Sequence, residues 1–142
     1  MLLSKEIAVY LNLTGCKLKQ YTANQLRKNH INLTPEQFLT IDILWNQGAM
    51  SQTALAEAMQ KDKNSVTKLV DALEAKGLVV RNRDKSDRRS NIVSPTEKAQ
   101  QMKDSTKRFG VSMLDEVLEN IDEDELRSFL STLKKITDAM DD

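Results

Sequence analysis

Two short runs of strand-forming residues, Leu78-Val79-Val80 and Ile92-Val93, flank a stretch from Arg81 to Arg89 that holds no large apolar side chain. A strand needs side chains that pack on a covered face, and the connection between two strands needs polar groups that tolerate water. The segment therefore reads as a hairpin with a hydrophilic tip. This feature restricts the fold, because the rest of the chain carries apolar residues at the three- and four-residue steps of helices. The expected order is four helices, the hairpin and two more helices: a mostly α chain with one small β-hairpin.

The helices can be placed from their ends. Residues 5–29 read as a long first helix, with Ile7, Tyr10 or Leu11, Thr14, Leu18, Tyr21 and Leu26 along one stripe and Gly15 weakening it locally. Thr34 is the expected N-cap of the second helix. Pro35 suits its first position, Gln37 completes a capping box, and Leu33 with Phe38 forms a hydrophobic staple. Phe38, Ile41, Leu44 and Trp45 make its apolar face and Gly48 its stop. A short third helix begins at Ser51 and runs through Leu55, Ala58 and Met59. After the polar break Gln60-Lys61, Asp62 caps a fourth helix that turns Val66, Leu69, Val70 and Leu73 inward and ends at Gly77.

Beyond the hairpin, Ser94-Pro95-Thr96-Glu97 reads as another capping box. It opens a helix with Ala99, Met102, Thr106, Phe109, Met113 and Val117 on one face. Asp122 to Glu125 then places four carboxylates on the first turn of a last helix, where the helix dipole favours them. Leu126, Phe129, Leu130, Leu133, Ile136 and Met140 form its stripe.

A length of 142 residues fits one domain, or one domain with an attached dimerisation part. The single cysteine, Cys16, excludes an internal disulfide framework. Met1-Leu2-Leu3 is too short for a signal peptide, and no apolar run approaches the ~20 residues that span a bilayer. A soluble cytoplasmic protein with no membrane partner is expected. The formal net charge of zero conceals an uneven distribution. Residues 61–90 hold nine Lys/Arg and five Asp/Glu, a local +4, whereas residues 110–142 hold three and ten, a local −7. A phosphate backbone responds to the local field, so the neutral total does not exclude nucleic acid.

A short helix, a tight turn, a second helix and a hairpin make a winged helix-turn-helix. Its second helix must enter a groove roughly 12 Å wide and offer hydrogen-bonding side chains near its N-terminus. Lys63, Asn64, Ser65, Thr67 and Lys68 stand there, since Asn can pair with adenine, Thr can offer a methyl to thymine, and Lys can reach guanine or phosphate. An ordinary solvated helix face explains the same residues almost as well. The hairpin separates the two readings, because Arg81, Arg83, Lys85, Arg88 and Arg89 are the side chains that a finger in the narrow, negative minor groove needs. Asp84 and Asp87 are unwelcome near phosphate, and each is expected to hold a neighbouring Arg by a salt bridge.

The chain resembles the MarR (multiple antibiotic resistance regulator) transcription factors over nearly its whole length. The likeness is strongest in RDKSDRRSNIVSPTEKA, residues 83–99. That family carries an Asp-x-Arg-Ser/Thr/Ala element in its wing, a short apolar strand, and a Leu-Thr-x-x-Gly helix start. Asp87-Arg88-Arg89-Ser90 matches the first, and Thr96-Glu97-Lys98 the last, with Pro95 and Ala99 in place of the usual Leu and Gly. KNSVTKLVDALEAKGLV, residues 63–79, resembles the recognition helix and its closing Leu-Glu-x-Lys-Gly-Leu. The resemblance implies a homodimer held by N- and C-terminal helices, with a recognition helix in the major groove and a wing in the minor groove of pseudo-palindromic double-stranded DNA. It makes Arg89 the minor-groove residue and Asp87 its orienting partner. It also implies a repressor released by a small, often aromatic, effector or by oxidants.

On this reading residues 1–30 contribute to the dimerisation region, 31–98 form the winged helix-turn-helix, and 99–142 carry C-terminal dimerisation helices. The apolar stripes of the first and last helices exceed what a small core needs, which agrees with a two-fold dimer reading two half-sites. Other residues carry less. Peroxide-sensing relatives place their reactive cysteine at a position that falls near Tyr10, so Cys16 is expected to be a small apolar filler, with a thiol redox sensor as the alternative. His30 is the single histidine, expected at a helix end or in a loop, and no metal site or cofactor is expected. No Ser/His/Asp, Cys/His or Gly-rich phosphate-loop arrangement is present, so the chain is not read as an enzyme. A winged-helix module used only for protein contact is a second alternative, disfavoured by the Lys and Arg of the wing.

Overall fold

A computed structural model describes residues 2–87 and 90–141. In chain order the elements are α1 (Leu2–Lys28), α2 (Pro35–Gln47), β1 (Met50–Ser51), α3 (Gln52–Met59), α4 (Lys63–Ala75), β2 (Val79–Arg83), β3 (Asn91–Pro95), α5 (Glu97–Leu118) and α6 (Glu123–Ala139). The chain divides into two compact units, Met1–Lys107 and Arg108–Asp142, with the boundary inside α5. No helix of the described residues is long and apolar enough to cross a membrane.

The first unit is built around helix starts that the side chains secure locally. Thr34 Oγ1 accepts from the Gln37 N–H at 3.1 Å, and Gln37 Oε1 accepts from the Thr34 N–H at 3.2 Å, a complete capping box for α2. Ser51 Oγ accepts from the Ala54 N–H at 3.0 Å to start α3. With their ends fixed, the helices bury one continuous cluster. Ile41, Leu44 and Trp45 of α2, Leu55 and Met59 of α3, and Val66, Val70 and Leu73 of α4 meet Leu78, Val79, Val93 and Ala99. Burying a side chain of this size contributes about 1.5–3 kcal/mol, so this cluster is the main source of the unit's stability.

The sheet has three antiparallel strands in the order β1-β3-β2, where the sequence predicted two. Met50 faces Val93 and Ser51 faces Ile92. A two-residue strand has no periodicity to detect, and Ser51 is also the cap of α3, which hides its second role. The strands of the hairpin extend further than their apolar runs, with Val79 opposite Pro95 and Arg83 opposite Asn91.

This extension moves the start of α5. Pro95 ends β3 rather than opening a helix, and Thr96 takes the place expected for Ser94. The Thr96 hydroxyl accepts from the Ala99 N–H at 3.2 Å and donates to the Gly77 carbonyl at 2.6 Å. In α3 the inward alanine is Ala56, and Ala58 is exposed, because two turns are too few for spacing alone to choose between them.

The long helices keep much of their apolar surface uncovered. Along α1 only Leu26 is buried, while Ile7, Tyr10, Leu11 and Leu18 are 39–62% exposed. Cys16 is exposed as well, so it fills no core within the chain. His30 follows α1 with a positive φ of 57°, at the helix end where it was expected. In the second unit Asp122 caps α6 and Glu123, Asp124 and Glu125 occupy its first turn. Phe129 and Leu130 of α6 are 57% and 51% exposed.

Candidate nucleic-acid interface

α3 and α4 are joined by a turn of three residues. Gln60 adopts a left-handed conformation, φ 53° and ψ 45°, and the Lys61 N–H donates back to the Ala56 carbonyl at 3.0 Å. Asp62 then starts α4, its Oδ1 accepting from the Ser65 N–H at 2.7 Å. That backbone hydrogen bond, followed by one from the Ser65 hydroxyl, holds the Asp62 carboxyl below the usual aspartate range against a smaller desolvation effect. The structure thus gives Ser65, which is half-buried, a part in the cap.

Lys63, Asn64, Thr67 and Lys68 are exposed on α4. The Thr67 hydroxyl donates to the Lys63 carbonyl at 2.8 Å and accepts from Gln52 Nε2 at 3.3 Å. At the back of the helix, Lys76 Nζ reaches Gln37 Oε1 at 2.6 Å and the Asn32 carbonyl at 2.9 Å, which ties α4 to the start of α2. Gly77, at φ 75°, then turns the chain into the wing.

In the wing, Arg83, Lys85 and Asp87 are exposed. The Asp84 N–H donates to the Ser90 carbonyl and the Ser90 N–H to the Asp87 carbonyl, both at 3.0 Å. These bonds close the loop below its tip. Asp84 does not serve a neighbouring Arg among the described residues. Its Oδ1 accepts from the Ser86 N–H at 3.0 Å and the Ser86 hydroxyl at 2.8 Å, and the backbone bond first holds its carboxyl below the usual range. Arg88 and Arg89 lie outside the described residues.

Arg81 stands differently from the expectation that grouped it with the groove-facing cations. Its guanidinium lies between β2 and α4, 2.7 Å from Asp71 and 3.2 Å from Glu74. Its Nε–H also donates to Gln52 Oε1 at 2.7 Å, and Nη2 to the Thr67 carbonyl at 3.2 Å. Sequence reasoning missed Gln52, Asp71 and Glu74. Helical spacing held part of the signal, since Thr67, Asp71 and Glu74 are four and three residues apart and share one face of α4.

Elsewhere, Glu36 accepts from Lys19 at 2.7 Å with Lys61 3.5 Å away. The Lys19 hydrogen bond is the chief cause that lowers the Glu36 pKa. Among the described residues, no group of three or more His, Cys, Asp or Glu is placed to hold a metal ion.

A helix, tight turn and second helix, followed by an antiparallel hairpin, define a winged helix-turn-helix. Comparison with known proteins narrows the class. The model of the MarR family matches residues 33–91. The uncharacterized HTH-type transcriptional regulator YcgE of Bacillus subtilis (strain 168) is 31% identical over 120 residues, covering 84% of this chain and 77% of that protein. A putative transcriptional regulatory protein for the hcr operon of Thauera aromatica is 42% identical over 57 residues, 40% of this chain, and the match spans only 34% of that protein's length. Among solved structures, the S. aureus MepR-DNA complex superimposes with a TM-score of 0.85 at 21% identity, covering 94% of this chain and 97% of that one. The chain belongs to the MarR family, whose members are transcriptional regulators and not enzymes.

Proposed function

We propose that the protein binds double-stranded DNA as a homodimer, sits on a pseudo-palindromic operator as a repressor, and is released by a small aromatic effector. The observation that carries the reading is the start of α4. Lys63, Asn64, Thr67 and Lys68 are exposed together on a capped helix whose core face is anchored, beside a hairpin presenting Arg83 and Lys85. The combination suits a helix laid in the major groove and a basic loop reaching the adjacent minor groove. MepR was solved on DNA with the same fold, which supports this use of it.

Arg88 and Arg89 extend the basic loop, and the family resemblance makes Arg89 its minor-groove residue with Asp87 as partner. The uncovered apolar stripes of α1 and α6 support the dimer, with residues 1–30 and 99–142 supplying its interface. A regulator of this kind works in the cytoplasm, where the chromosome is.

Selection of bound DNA from a random pool, followed by titration at several salt concentrations, tests the reading. The expected result is an enriched inverted repeat whose affinity falls steeply as salt rises. Absent or salt-independent binding sinks it.

A further inference from the structure

Arg81 spends its guanidinium inside the protein. Its side chain is 18% exposed, and its donors meet Gln52 Oε1, Glu74 Oε1, Asp71 Oδ1 and the Thr67 carbonyl at 2.7–3.2 Å. These acceptors come from α3 and α4, while Arg81 itself belongs to the strand that carries the wing outward. The planar fork can serve several acceptors at once, which a lysine ammonium on its flexible stem cannot do in the same geometry.

The contact with Gln52 has an effect further on. Because Gln52 Oε1 accepts from Arg81, the amide is oriented with Nε2 donating to Thr67 Oγ1. The same hydroxyl donates its one hydrogen to the Lys63 carbonyl, so it has none left to give to a base. Its methyl is the group left for a thymine.

We propose that Arg81 is a positioning residue that locks the base of the wing to α4 and, through Gln52, fixes the rotamer of Thr67, without touching DNA itself. The proposal rests on the DNA-binding reading given above. It also accounts for Asp71 and Glu74, two carboxylates on the helix assigned to the groove, as anchors for Arg81.

Two variants separate positioning from a phosphate contact. Arg81→Lys keeps the charge and loses the fork. Positioning predicts about a tenfold or greater loss on the selected operator, the size of one good base contact, with little change on random DNA. It also predicts a relaxed preference at the base read by Thr67, which general destabilisation does not produce. A phosphate contact predicts near-wild-type affinity and an unchanged preference. Asp71→Asn removes a negative charge from the DNA-facing helix, so a free Arg81 at phosphate predicts tighter binding, whereas positioning predicts weaker binding.

Asp71 is exposed, so this second variant keeps the test open if Arg81→Lys fails to fold. Wild-type protein that enriches an operator, with both variants matching it, overturns this proposal alone. Wild-type protein that binds no DNA overturns the DNA-binding reading and this proposal together.

Discussion

Asp62 shows how one side chain can make the start of a functional helix depend on pH. Its carboxylate accepts the Ser65 N–H, which favours the charged form, so its pKa is lower in the folded chain than in the unfolded one. The stabilisation is therefore fully present above the unfolded value and is lost as pH falls through the folded one. Melting temperature measured between neutral pH and pH 2 should fall in acid, and Asp62→Asn should flatten that fall because its cap carries no proton to gain. An identical acid limb in both proteins would remove Asp62 from the account. Arg89→Ala is expected to weaken operator binding strongly with the melting curve unchanged, and intact binding would mean that the wing is not in the groove. Asp62 was legible in the sequence because a cap acts on an N–H three residues away. Arg81 was not, because its partners lie 7, 10, 14 and 29 residues distant and one of them is on a different helix.

At the scale of elements, the ends of helices carry the most information. Thr34→Ala removes the hydroxyl half of the capping box of α2 and leaves the Thr34 backbone N–H to Gln37, and chemical denaturation should show a loss of about 1 kcal/mol. No loss would mean that Pro35, the remaining Gln37 contact and the burial of α2 define its start. Gly77 sits between α4 and β2, and a Cβ there would meet Lys98 Cδ only at 3.8 Å, an ordinary contact. The cost of Gly77→Ala is then that of a left-handed backbone, about 1–2 kcal/mol, and not of crowding. A loss several times larger would show that the wing junction repacks. All six helices and the hairpin could be read from periodicity and caps. β1 could not, since its two residues take their conformation from pairing with β3 and not from any local preference. The shifted start of α5 has the same origin: sheet pairing claims Pro95 before the helix can.

For the whole molecule, charge and exposed apolar surface are both distributed unevenly along the chain. The basic excess lies in residues 61–90 and the acidic excess in residues 110–142, so the neutral total describes neither. Exposed apolar side chains gather on α1, on residues 111–118 of α5 and on α6, and neither α1 nor α6 contributes to the core cluster. If these surfaces join two copies, Phe129→Glu combined with Leu130→Glu should give a monomer in analytical ultracentrifugation and weaken binding to a two-half-site operator more than to a single half-site. A variant that remains dimeric would place the interface elsewhere. The family was legible because the wing element and the recognition helix are contiguous in sequence. The proposed dimer rests on surplus apolar surface alone, since one chain does not contain a partner to cover it.

The position of β3 between β1 and β2 has a consequence for descent. Its register is set from two sides, at Met50 and Ser51 as well as along β2, and the Thr96 N–H is held by the Leu78 carbonyl. The strand that returns from the loop and the helix that follows it are accordingly held by contacts outside residues 85–87. If the loop enters a groove, its reach can change while the core and the exposed start of α4 stay as they are.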